Sequence, residues 1–203
     1  IVSVDRQGRS EPLWKEPGIY GTPRLSPDGR QLAVSLQRDE IWNVWVYDLE
    51  RDVATRVTFG KRYDADPVWS PDGRWIAYES EVDGKDGVFR KRADGTGDAE
   101  PLLAPGKLTF PAPNSWSPDG KTLIVQSAGE GGRTDLWLLP AGGNAEPQPF
   151  LKSPYQESFG HCSPDGRWTT HSSSPGEGRA PGGAWASCGS PGAILAERSG
   201  RPP

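Results

Sequence analysis

Asp28, Asp72, Asp119 and Asp165 each stand in the same tetrapeptide, Ser-Pro-Asp-Gly, and are the first residues whose repetition raises the question of chemistry. Regularly spaced carboxylates could serve acid–base catalysis or cation binding. Their neighbours argue for another role. A proline precedes each one (Pro27, Pro71, Pro118, Pro164) and a glycine follows (Gly29, Gly73, Gly120, Gly166). Proline pre-sets φ for the second position of a type I turn, aspartate suits the third, and glycine accepts the positive φ of a G1-bulge hairpin. The four aspartates are therefore read as turn residues, and no catalytic residue is assigned.

The other candidates are sparse. No serine lies in a G-x-S-x-G nucleophile elbow. His161, Cys162, His171 and Cys188 are the only histidines and cysteines, and none forms the tight pairs of a zinc site. Cys162 occupies the slot of Leu25, Trp69 and Trp116 and is expected to be a small core residue, while His161 is expected to be a solvated strand residue. The acids of "EVDGKDG" (81–87) lack the spacing of a calcium loop and read as a polar hairpin. "GEGGRT" (129–134) and "GEGRAPGG" (176–183) do not connect a strand to a helix, so a phosphate cradle is not expected. No metal and no cofactor are assigned. A net charge of −4 without a basic block excludes an electrostatic footprint for nucleic acid. No apolar run is long enough to cross a membrane as a helix.

What must position these residues is a repeat. The tetrapeptides begin at Ser26, Ser70, Ser117 and Ser163, spaced by 44 to 47 residues. After each comes a basic residue and then an alternation of period two: Leu32 and Val34, Ile76 and Tyr78, Leu123 and Val125. A second apolar segment follows ("VWVYDL", "VFRKRA", "LWLLPA"), then a short third ("TRVTF", 55–59; "EPLL", 100–103; "PQPFL", 147–151). A fourth precedes each turn ("TPRL", "DPVW", "NSW", "GHC"). Four short strands per unit of about 45 residues are the signature of a β-propeller blade. The 47 glycines and prolines fall mostly between these segments, and nine tryptophans supply bulk to the core.

The expected fold is therefore all-β: a propeller fragment of about three complete four-stranded blades with partial blades at both ends. Residues 1–19 are expected to end a preceding blade, 20–63, 64–110 and 111–156 to form whole blades, and 157–168 to begin another. From Thr169 to Pro203 the pattern fails; 18 of 35 residues are Gly, Pro or Ser, a composition expected to be disordered or out of frame. The chain starts at Ile1 and has no Met, which fits a piece of a longer gene product. Such an array is expected to be an open arc of marginal stability with exposed apolar ends.

Propellers bind where strand ends and loops converge on the channel mouth. The residues entering the innermost strands, Thr22, Tyr63, Asp64, Asp66 and Asn114, are the candidate ligand-binding set. The competing reading is that Asp64 and Asp66 only hydrogen-bond adjacent blades.

"DADPVWSPDGRWIAYES" (64–80) resembles the repeat of TolB-like propellers. The wider frame, "VDRQGR" (4–9), "GIYGTPRLSPDGRQLAVS" (18–35), "VWVYDLERDVATRVTF" (44–59), "DLWLLPAGG" (135–143) and "PFLKSPYQESFGHCSPDGRW" (149–168), is similar to the C-terminal propeller of bacterial serine/threonine protein kinases. The resemblance implies a non-catalytic module that binds or senses a protein, peptide or small ligand. It further implies partner blades and a kinase domain in the parent chain, and an extracytoplasmic (periplasmic) place on a membrane-anchored bacterial protein. The kinase motifs themselves are not in this chain. Two other parents share the repeat: a prolyl-oligopeptidase-like serine peptidase, whose propeller gates substrate, and a free TolB-type periplasmic binding protein.

Overall fold

The structure, a computed structural model, describes residues 1–129, 132–143 and 146–174. Cys188, the second glycine-rich stretch and everything else expected of the tail beyond residue 174 lie outside the described residues, as do Glu130 and Gly131 of "GEGGRT".

A two-stranded sheet, β1 (Val2–Val4) and β2 (Ser10–Pro12), comes first. Three four-stranded sheets follow: β3 (Ile19–Leu25) to β6 (Val53–Arg56) through β4 (Gln31–Arg38) and β5 (Ile41–Asp48); β7 (Asp64–Trp69) to β10 (Glu100–Leu103) through β8 (Trp75–Val82) and β9 (Lys85–Arg92); and β11 (Thr109–Trp116) to β14 (Gln148–Leu151) through β12 (Thr122–Ala128) and β13 (Thr134–Pro140). The last sheet pairs β15 (Gln156–Cys162) with β16 (Thr169–Ser174). Every sheet is an antiparallel meander in chain order. The molecule is an all-β arc of three complete propeller blades flanked by two-stranded sheets, and it does not close into a barrel.

The Ser-Pro-Asp-Gly segments make the hairpin between the first and second strands of each blade. In the first, Gly29 N–H donates to Ser26 O (2.9 Å) with Gly29 at φ +71. Ser26 Oγ donates to Asp28 Oδ1 (2.6 Å), which also accepts Arg30 N–H (3.1 Å), and Gln31 N–H donates to Ser26 Oγ (2.9 Å). The same bonds recur at Ser70, Ser117 and Ser163. Serine and aspartate thus satisfy the backbone donors that the tight turn exposes.

The second strand of each blade buries both faces, so its alternation sorts residues between two neighbours. Leu32, Val34 and Leu36 pack with Trp14 and Tyr47 toward the first sheet, whereas Ala33 faces Trp69, Ile76 and Tyr78 of the next blade. Ala77 joins Trp116, Leu123 and Val125 in the following interface, and Ile124 turns toward Leu136 and Cys162. The core is a series of sheet-to-sheet interfaces, one per neighbouring pair.

Two boundaries differ from the sequence reading. The expected "TRVTF" strand sits earlier, at β6, because the N–H groups of Val57 and Thr58 both turn in to Val44 O (2.9 and 3.3 Å) and Val57 is fully buried. Beyond the boundary expected at 168 the chain carries β16. There Thr169 is buried, and His171, in an apolar slot, meets Glu157 at 3.2 Å instead of packing as a hydrophobe.

Candidate ligand-binding cleft at the channel mouth

The innermost strand of each blade carries a bulge that the repeat pattern did not announce. Thr22, Asp66 and Phe159 occupy the same position, four residues before the serine of each turn, and have φ of 43, 54 and 56. The ladders to β4, β8 and β16 break register at these points. In the third blade this position is Pro113, whose ring holds φ negative. The left-handed residue there is Phe110 (φ 48), and the ladder breaks twice, between Thr109 and Ala112 and between Pro113 and Ser115. Left-handed backbone at non-glycine residues is uncommon, and bulges of this kind re-aim side chains.

The bulges also link blades. Asp66 N–H donates to Ser35 Oγ of the preceding blade (3.1 Å), and Phe159 N–H donates to Gln126 Oε1 (3.1 Å). Ser35 and Gln126 hold one position, nine residues after the turn serine; Glu79 holds it in the second blade. Its counterpart donor would be the amide of residue 113, and proline has none. Glu79 is 4% exposed, and its Oε1 has no hydrogen-bond partner. Burial, then the charges of Asp66 and Asp86, pushes its carboxyl up to about 8.

Glu79 lines a cleft of about 920 Å³ where the second-to-third-strand hairpins and the loops entering the innermost strands converge. Trp42, Tyr63 and Phe110 supply its aromatic wall, and Asp39, Glu40, Glu81 and Asp86 its acidic one. Of its two cations, Lys61 and Arg62, the latter is paired with Glu81 at 3.0 Å.

The five sequence candidates separate here. Tyr63 lies in the cleft, its hydroxyl pushed up to about 12 by burial, with Asp66, Glu79 and Asp86 adding to the shift. Thr22, Asp66 and Asn114 line a recess of about 50 Å³ that shares Ala112 and Gln126 with the cleft. Burial raises the Asp66 carboxyl, opposed by the Thr22 hydroxyl and by Arg24. Asp64 is buried and accepts from Ser80 Oγ (2.7 Å), Gly60 N–H (2.9 Å) and Asn43 Nδ2 of the preceding blade (3.2 Å). Asn114 is buried as well, its Oδ1 accepting Gly160 N–H of the next blade (3.2 Å). Glu79 was not among the candidates. Superposing the blades as text, with Ser35, Glu79 and Gln126 in one column and Thr22, Asp66, Pro113 and Phe159 in another, is the signal that could have found it.

The turn aspartates stand apart from this cleft, at the opposite ends of the strands. Their own turn serines and backbone amides hold them below the usual carboxylate range, Asp72 at about 2. At that second mouth a hollow of about 510 Å³ is lined by the four turn prolines with Arg24 and His161. Partial burial, then Arg24, lowers the imidazole, which faces the hollow.

Two curated relatives are each 32% identical to parts of this chain: an uncharacterized protein of Agrobacterium fabrum over 123 residues (55% of this chain, 41% of the relative) and the uncharacterized peptidase YuxL of Bacillus subtilis over 121 residues (56% of this chain, 18% of the relative). The chain spans less than half the length of either. Among solved structures, TolB from Acinetobacter baumannii matches with a TM-score of 0.76 at 16% identity, over 96% of this chain and 47% of that one. The family model of the TolB β-propeller domain, PD40, matches residues 2–180, and the chain belongs to that family.

Proposed function

We propose that the chain is a non-catalytic binding module that takes a peptide or protein segment into the cleft at the channel mouth. The observation that carries this reading is the cleft itself: three blades contribute to one concave, polar and aromatic surface of ligand size. The residues whose repetition suggested chemistry, the turn aspartates, are meanwhile committed to their own turns. Incubating the chain with ATP and a protein acceptor, and separately with peptide substrates, should give no turnover in either assay. Measurable turnover in either overturns the reading.

The parent belongs to the same proposal. The phrasing between turns favours a serine/threonine kinase with the propeller on the extracytoplasmic side. The identity to peptidase YuxL favours a peptidase whose propeller admits substrate. Flanking gene sequence separates them: kinase motifs upstream, or G-x-S-x-G downstream.

A further inference from the structure

We propose that the cleft recognises a cationic N–H donor on a peptide, an arginine or lysine side chain or an N-terminal ammonium, with Glu79 as its counter-ion. The inference rests on the peptide-binding reading above and adds the chemistry of the ligand.

One inter-blade bond of the repeat is missing at the second blade. In the neighbouring blades the residue at this position spends its acceptor on the next blade's bulge amide. In the second blade both ends of that bond have changed: the donor is replaced by Pro113 and the acceptor is an acid. A buried acceptor without a donor is costly, and such groups in native proteins call for an explanation. A neutral ligand could supply one hydrogen bond. The surroundings select a charged one.

Asp39, Glu40, Glu81 and Asp86 line the cleft against Lys61 and Arg62, and Arg62 is already spent on Glu81. Asp66 and Tyr63 approach Glu79 from the β7 side, and Gln126 and Phe110, both neutral, line the same cleft from the third blade. Trp42, Tyr63 and Phe110 offer apolar and π surface to the stem and head of a basic side chain. Among the described residues no three His, Cys, Asp or Glu gather as metal ligands, so an organic cation fits the lining better than a metal ion.

Proton linkage gives the proposal a distinctive readout. With its carboxyl near 8, Glu79 is mostly protonated at pH 7 and must ionise to pair with a cation. Binding therefore releases about one proton at pH 7, and affinity for the arginine peptide rises about tenfold or more between pH 6 and pH 8.

The test is calorimetric titration of the full chain with three peptides: acetyl-Ala-Arg-Ala-amide, its citrulline analogue, and unacetylated Ala-Ala-Ala-amide. Each is run in phosphate and in Tris buffer, whose different ionisation enthalpies report the proton. The expected result is binding of at least one cationic peptide with proton release, tenfold or more weaker binding of citrulline, and loss of both affinity and pH dependence in Glu79→Gln. Which cationic peptide binds tells side chain from terminus. Asp86→Asn, at the half-buried edge of its hairpin, should weaken binding severalfold with the pH dependence retained. Circular dichroism shows whether each variant is folded. Equal binding of the citrulline peptide, or unchanged cationic binding in folded Glu79→Gln, overturns the inference and leaves the binding module standing. No binding of any of the three overturns both.

Discussion

Glu79 has a consequence for stability even with no ligand present. Its carboxyl is raised in the folded state, to about 8 from an ordinary value of 4.5, so the folded chain holds a proton that the unfolded chain releases. The associated stability is fully present below about pH 4.5 and is lost as pH rises to about 8. Glu79→Gln removes that loss, and melting curves should show the variant gaining roughly 5 °C or more at pH 9 and little at pH 4.5. Asp72 has the opposite sign. Held at about 2, it contributes above its unfolded value of 3.8 and loses that contribution as pH falls toward 2. Asp72→Ala should thus lower the melting temperature at pH 7 by a few degrees, with the difference closing by pH 2. The site was only partly legible in the sequence. Tyr63 could be placed because it enters an innermost strand whose far end is a recognisable turn. Glu79 could not, because within "WIAYES" it reads as the ordinary polar member of an alternation; its burial comes from the next blade, and its missing partner is a property of residue 113.

Between elements, the tryptophans ahead of the second and third turns act as struts. Trp69 Nε1 donates to Arg24 O (2.9 Å), and Trp116 Nε1 donates to Val68 O (3.3 Å), each reaching the innermost strand of the preceding blade. Trp116→Phe keeps most of the ring volume and loses the bond, costing about 1–2 kcal/mol in denaturant unfolding. Trp116→Ala also opens a cavity beside Val68 and Leu123 and should cost about 3–5 kcal/mol. The strands were legible because turn chemistry and period-two alternation are local. The bulges were not: a left-handed threonine, aspartate or phenylalanine has no composition of its own, and the shift to Phe110 follows only once Pro113 is known to lie in the strand. The strand after the fourth turn escaped for a related reason. Thr169, His171 and Ser173 lack apolar character, and β16 is held instead by its ladder to β15 and by Glu157, which meets His171 and accepts from Ser173 Oγ (3.1 Å).

For the whole molecule, the separate interfaces imply nearest-neighbour cooperativity of the kind found in repeat arrays. The interface between the second and third complete blades is built from fully buried Val88, Leu102, Leu103, Leu123, Val125 and Leu139, whereas that with the last sheet rests on Ile124 and Leu136. Native-state hydrogen exchange should therefore find the amides of β15 and β16 opening before those of β8 and β12. Uniform exchange across the arc would contradict this.

The turns at the far mouth carry one more consequence. A Cβ placed on Gly73 would lie 3.8 Å from Pro27 Cδ, one on Gly120 3.9 Å from Pro71, and one on Gly166 3.5 Å from Pro118. Each turn therefore leaves a side chain's width beside the preceding turn's proline, at ordinary van der Waals distance, so room is not what reserves these positions for glycine; the left-handed φ of 69, 70 and 70 is. The cleft opens at the other rim, on the same blades. A methyl group grown on the glycine rim would strain its own turn's backbone without crowding its neighbour, and the opening a full strand length away would keep its width.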